Sequence, residues 1–335
     1  MPAEPTVSVI MRLHGSPTRC SAAVDSVFAQ TLRDLELIVV DDRGAGVPAL
    51  DLSDDPRLRR VRHQADLGAL QSLADGVALA RGRYVALQDA EAIAHPERLA
   101  KQVAFLDSHP DHAAVSAWVD WIDERGRQSR IKRKPVAADE VAARMLFRSG
   151  LEHAASMART GILRQHLLDP ELKAGTDFDL WARIAAGQKL ANLPEVLVSR
   201  PRPTGAEDPA RRKAERRAIY RSQLAALGVA ADDADLDRHF LLRRMRKEGF
   251  TPDRAYLAWA EAWLRGLQAA NAARQAYPEP VFSEVLGTYW AKVCWHAGRG
   301  IGRAAAWQVF RASPLRRWAW PGLKRQIFRR STGSF

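Results

Sequence analysis

The sequence predicts an α/β fold in which a mostly parallel, doubly wound sheet is followed by a helical region. Three observations lead there. Short apolar runs alternate with helical patterns from Val7 to about residue 200. Two of those runs stop abruptly at acids, Asp41-Asp42 and Asp89, as strands do where they open onto a crevice. From Ala210 onward only helical patterns remain, broken by Pro and Gly. Alternation of this kind argues for a parallel sheet with ligand sites at the strands' carboxyl ends.

In chain order, Val7 to Leu13 reads as a strand and Thr18 to Gln30 as a helix. Leu35 to Val40 is a second strand, closed by Asp41 and Asp42, and Leu58 to Arg62 a weaker third. Leu67 to Ala80 is helical, and the apolar run Tyr84 to Leu87 is a fourth strand that ends at Asp89 and Glu91. A helix follows from Pro96 to Ser108, with proline in its first turn, where no N–H is required. Ala113 to Val119 is a fifth strand, Asp123 to Gly126 a turn, Asp139 to Phe147 a helix and His153 to Ala158 a short strand. Asp177 to Ala186 is helical, and the Pro-, Gly- and charge-rich Pro201 to Pro209 reads as a linker. Two regions are therefore expected, residues 1–204 and residues 205–335.

Composition bounds the class. An apolar fraction of 47% with 27% charged residues is that of a soluble globular chain, which removes fibrous and disordered classes from consideration. Cys20 and Cys294 lie far apart, so neither a disulfide framework nor a cysteine metal site is expected, and a reducing compartment fits. The N-terminus shows no basic-then-apolar leader, and no run is long and apolar enough to span a bilayer. The expected location is the cytoplasm. There is no Gly-x-Gly-x-x-Gly and no phosphate-cradling Gly-x-x-x-x-Gly-Lys loop; the first turn reads Arg12-Leu13-His14-Gly15. A nucleotide in this crevice must have its phosphates held in another way. Asp89 and Glu91, one residue apart at a strand end, are a pair that can share one hard divalent cation, and such a cation can hold a diphosphate.

Several segments, in order, resemble the family 2 glycosyltransferases of the GT-A fold, of the kind that build bacterial polysaccharides. Val7-Ser8-Val9-Ile10-Met11 resembles their opening strand, and Ala29 through Asp42 their second helix–strand unit. Ala80 through Glu91 resembles the strand that ends in an Asp-x-Asp metal motif, and Arg98-Leu99 through Pro110 the helix after it. Thr176-Asp177-Phe178-Asp179-Leu180-Trp181 resembles the acidic catalytic segment, and Asn192 through Leu197 the strand that follows. The resemblance covers roughly residues 7 to 200. It implies a GT-A (Rossmann-like) domain in which Asp42 accepts a hydrogen bond from the nucleotide base. Asp89 faces the ribose and diphosphate, Asp89 and Glu91 hold Mg²⁺ or Mn²⁺, and Asp177 is the general base. Met11, Leu13 and His14 at the first strand's end, and Asp66 in the position of an Asn-x-Gly motif, complete the implied nucleotide side. The chain departs from the pattern at Arg12 to Gly15, Asp66, Glu91, Ala92 and Thr176.

The implied reaction is inverting transfer of a sugar from a nucleotide donor, a UDP-sugar first among them, to a glycan or lipid-linked acceptor. Beyond Glu284 the chain has no acid, while ten Lys and Arg residues and Trp290, Trp295, Trp307, Trp318 and Trp320 fall there. Cations mixed with tryptophan suit a headgroup zone, so peripheral contact with the inner face of the cell membrane is expected. No nucleic-acid-binding motif accompanies the charge. Two other readings remain: a non-catalytic GT-A-like scaffold in polysaccharide assembly, and a peripheral protein that binds anionic membranes. Asp179 and Trp181 read as a helix-face acid and a core aromatic. His153 reads equally as a site or a packed histidine, and Arg130, Lys132, Arg133 and Lys134 as a solvated face or a surface for a phosphate-bearing acceptor.

Overall fold

A computed structural model describes residues 4–13, 17–43, 52, 54–123, 125–167, 177–202 and 208–331. Among them are nine strands and twelve α-helices, in two compact units. The first unit comprises Met1–Ala138 and Gly150–Gly205, and the second Asp139–Ser149 and Ala206–Phe335.

The first unit opens with β1 (Val7–Arg12), α1 (Pro17–Phe28), β2 (Leu35–Asp41), β3 (Leu58–Arg62), α2 (Ala69–Leu79) and β4 (Tyr84–Asp89). β1, β2 and β4 are continuous apolar runs because both faces of a parallel sheet are covered. Val9 pairs with Leu37 on one side and Ala86 on the other, all parallel. The unit continues with β5 (Ile93–Ala94), α3 (Arg98–Ser108), β6 (His112–Ile122), β7 (Gln128–Lys132) and the first residue of α4 (Ala138–Met145). A 3-10 turn (His153–Ala155), β8 (Met157–Arg159), α5 (Thr160–Leu167), α6 (Asp177–Ala185) and β9 (Lys189–Pro201) complete it.

The sheet order is β3-β2-β1-β4-β8-β6-β9-β5, with β7 paired to β6. β8 lies antiparallel to both β4 and β6, so β6 and its parallel partner β9 run in the same direction as β1 to β4. Six strands share one direction, and β5, β7 and β8 oppose it. The mostly parallel α/β fold expected from the sequence stands. The differences are local. β5 is only two residues long, β7 is a charged edge strand, and His153–Ala155 is a 3-10 turn, with strand geometry starting at Met157.

The turn after β4 is built on Arg98, whose side chain is fully buried. It donates to the Leu87 carbonyl at 2.7 Å, to Gln88 Oε1 at 2.6 Å and to Gln102 Oε1 at 3.2 Å. Gln88 in turn donates to the Ala92 carbonyl, closing the loop that carries Asp89 and Glu91. Burial weighs against the guanidinium charge and pulls its pKa down to about 9 from 12.5.

The second unit holds the rest of α4, then α7 (Pro209–Ala226), α8 (Asp233–Arg244), α9 (Arg254–Arg274), α10 (Val281–Ala297), α11 (Arg303–Ala312) and α12 (Arg316–Ser331). Asp208, Asp232 and Asp253 cap three of these helices through backbone N–H groups. Phe147 stacks between Tyr289 and His239, whose Nε2 meets the Leu146 carbonyl at 2.9 Å. α10 and α12 cross closely: a Cβ on Gly287 would meet the Ala319 nitrogen at 2.6 Å, and one on Gly322 the Glu284 carbonyl oxygen. Among the described residues no helix is long and apolar enough to cross a membrane. Trp290 is fully buried and Trp318 half-buried under Arg317, so the exposed tryptophans of the tail are Trp295, Trp307 and Trp320.

Candidate active site

The carboxyl ends of the parallel strands carry the acids singled out by the sequence. Asp42 follows β2 and Asp89 ends β4, with β1 between them rather than adjacent to each other; two strand spacings put them roughly 10 Å apart in the sheet plane. Two sub-sites result.

On the β2 side, Asp42 is almost fully buried. Its Oδ2 accepts from Arg12 Nε at 2.7 Å and from Ser72 Oγ at 2.8 Å. Arg12 also reaches Asp66 Oδ1 at 3.0 Å, and Asp66 accepts from the Gly68 N–H at 2.8 Å. That backbone N–H, with the Arg12 charge, holds the Asp66 carboxyl below the usual carboxylate range. Arg12, which the sequence marks only as a departure from the family pattern, thus ties the two acids together. Met11 and Leu13 are buried in the core, so only their backbones can meet a ligand. His14 and Thr176 lie outside the described residues.

On the β4 side is a cleft of about 340 Å³, within the range of small-ligand sites. Ala69, Leu70, Leu73 and Leu180 form its apolar wall, and Asp89, Glu152, His153, Asp177 and Arg200 its polar one. A larger hollow of about 570 Å³, lined by Thr6, Arg81 and Thr160 among others, lies at the strands' amino ends. Ligands of open α/β sheets bind at the carboxyl ends, which favours the smaller cleft.

Asp177 is exposed at the first position of α6, where the helix dipole favours a carboxylate. Trp181 on the same helix is fully buried and meets His153 edge-on at 6.1 Å, while Asp179 faces Arg183 at 3.5 Å. Asp179 and Trp181 are therefore the packing residues expected of them. His153 lines the cleft, and its Nδ1 is buried with no hydrogen-bond partner among the described residues.

Arg200 on β9 reaches Asp89 Oδ2 at 2.7 Å and Glu152 Oε1 at 3.7 Å. Glu152 is nearly buried and also meets Lys132 Nζ at 2.6 Å and Lys134 Nζ at 3.6 Å. Burial alone would raise its carboxyl pKa, but Lys134, Lys132 and Arg200 together hold it below the ordinary value. Neither Glu152 nor Arg200 carries a local sequence signal, because their partners lie tens of residues away.

Glu91 stands 3.7 Å from Arg19 Nη1. Among the described residues no cluster of three or more His, Cys, Asp or Glu side chains surrounds a common point. Two carboxylates on one turn do fit a hard cation that completes its shell with water and substrate phosphates, as Mg²⁺ commonly does. Asp89 and Glu91 are the residues here that would hold it.

Residues 8–167 match the family model for glycosyl transferase family 2. The chain is 30% identical over 207 residues to the putative glycosyltransferase EpsE of Bacillus subtilis, covering 59% of this chain and 73% of that protein. It is 26% identical over 299 residues to the succinoglycan biosynthesis protein ExoO of Rhizobium meliloti, covering 82% of each. The fold is similar to that of S. aureus TarS 1–349 in complex with UDP-GlcNAc, with a TM-score of 0.51 at 17% identity, covering 92% of this chain and 91% of that one. Against another crystal structure of S. aureus TarS the similarity covers 92% of this chain and 55% of that one, with a TM-score of 0.52. Ordered strands, a carboxyl-end cleft lined by acids and these relatives converge: the chain belongs to glycosyl transferase family 2.

Proposed function

We propose that this chain transfers a sugar from a UDP-sugar to a glycan or lipid-linked acceptor with inversion at the anomeric carbon. The observation that carries the reading is that Asp177 and Asp89 line one cleft at the carboxyl end of the sheet. In this reading Asp89 faces the donor's ribose and diphosphate, and Asp177 takes the proton from the attacking acceptor hydroxyl. Asp42 and Asp66, held by Arg12, form the wall toward the base. Mg²⁺ or Mn²⁺ at Asp89 and Glu91 would offset the charge that develops on the departing UDP. Arg200, already on Asp89, adds a fixed cation beside the same group. The solved complex of TarS with UDP-GlcNAc makes uridine the base to test first. Exposed Trp295, Trp307 and Trp320, in a stretch with no acid after Glu284, support peripheral attachment to an anionic membrane face.

The test is UDP release from a panel of UDP-sugars with Mg²⁺ or Mn²⁺, in membrane extracts that supply acceptor. Asp177→Asn is expected to lower kcat by about 10²-fold or more, and Glu91→Gln to raise the metal concentration required. Full activity in both variants would overturn the mechanism.

A further inference from the structure

One face of the sheet beside the cleft carries four cations, two of them against a single indole. Trp121 on β6 pairs laterally with Arg130 on β7 and with Arg200 on β9. Laterally paired residues, and residues two apart on one strand, point to the same face. Lys132, two residues from Arg130 on β7, therefore shares that face with Arg130, Trp121 and Arg200, and Arg202, just past the end of β9, reaches the Trp121 ring as well. The side chains agree. The Arg130 guanidinium lies 5.5 Å and that of Arg202 5.8 Å from the centre of the Trp121 ring.

The charges do not balance. Lys132 and Arg200 are ion-paired with Glu152, and Arg200 also with Asp89. Arg130 and Arg202 are exposed, and among the described residues neither makes an ion pair. Two guanidiniums at one ring raise the local positive potential, which an anion bound beside them would lower. Arginine forks are suited to phosphate, and an indole offers a flat platform for a sugar or an isoprenoid chain. The row ends at Arg200, which lines the same cleft as Asp177.

We propose that this face is an acceptor subsite that binds a phosphate or diphosphate group, so that the acceptor is a phosphate-bearing molecule whose hydroxyl is presented to Asp177. The inference rests on the glycosyltransferase reading and narrows its acceptor class. The phosphate can come from a lipid carrier or from a phosphorylated glycan.

The test uses the full chain labelled with 5-fluorotryptophan, with the Trp121 signal assigned from Trp121→Phe, in the presence of saturating UDP and Mg²⁺. Farnesyl phosphate and glucose 1-phosphate are added separately, with farnesol and glucose as neutral controls. The Trp121 signal is expected to move with at least one phosphate compound and with neither neutral one. The tighter of the two compounds identifies the phosphate source. Arg130→Glu and Arg202→Glu, both at exposed positions, are each expected to weaken that response about tenfold while UDP affinity stays within about twofold. An equal response to the neutral compounds, no effect of either charge reversal, or loss of the response on adding UDP would each overturn the subsite. A phosphate response that persists in a chain unable to bind UDP would keep the subsite and overturn the donor assignment instead.

Discussion

Replacing Glu152 by Gln removes the carboxylate shared by Lys132, Lys134 and Arg200 while keeping nearly the same volume. The three pairs are unequal. The Lys132 side chain is 40% exposed, so water takes over most of its interaction. Arg200 keeps Asp89. Lys134 is 9% exposed and still donates to the Leu151 carbonyl at 2.7 Å. Breaking a buried pair from one side costs about 3–5 kcal/mol, and with Arg200 and Lys134 each retaining a partner the low end applies, about 3 kcal/mol. Native-state hydrogen exchange at β6 and β9 amides reads this unit without interference from the helical one. The Glu152 carboxyl is held below its ordinary pKa, so its contribution is present above the unfolded value and is lost as pH falls through the lower folded one. The gap between variant and wild type should therefore close in acid. An anion bound to the exposed cations should also stabilise the variant more than the wild type. A loss below about 1 kcal/mol at pH 7, or a gap independent of pH, would refute the electrostatic account of this cleft.

Two other perturbations test the scaffold. His239 is buried with its Nε2 at the Leu146 carbonyl and its Nδ1 accepting from Trp263 Nε1, an arrangement that requires the neutral ring. Burial pulls its pKa down to about 4 from 6.5, so the unfolded chain binds the extra proton first. The helical unit should be fully stable above about pH 6.5 and lose about 3 kcal/mol by pH 4, read from exchange at α8 amides; a flat profile would count against it. Arg98→Leu leaves the Leu87 carbonyl and Gln88 without their donor and should cost about 2–4 kcal/mol. Because Arg98 closes the turn bearing Asp89 and Glu91, UDP affinity by calorimetry should fall with it, and unchanged affinity would separate the clamp from the site.

The parts of the fold that the sequence reveals are those where burial dictates composition. β1, β2 and β4 are covered on both faces and read as apolar runs, and the acids at their ends stand out against them. β7 shows no such run because it is an edge strand whose alternating Gln128, Arg130 and Lys132 face outward or toward charge. β5 is too short for any period to register. Asp177 and Asp89 are legible because each sits at an element end with a family pattern around it. Glu152 and Arg200 are not, since an ion network across strands has no spacing along the chain. The tail shows the limit of composition: five tryptophans look alike in sequence, yet Trp290 packs against its own unit while Trp295, Trp307 and Trp320 meet solvent.

The short segment Asp139–Ser149, which falls between two stretches of the sheet unit yet packs within the helical one, has a practical consequence. A chain cut near residue 205 would keep Val141, Met145, Leu146 and Phe147 but lose Tyr220, His239 and Tyr289, against which this segment is buried. Such a fragment would carry a newly bared apolar strip in the middle of its sequence, a strip of the kind that drives chains to associate. The two units are therefore interleaved along the polypeptide, and neither can be released by a single cut. Dissecting their roles calls for surface substitutions in the intact protein.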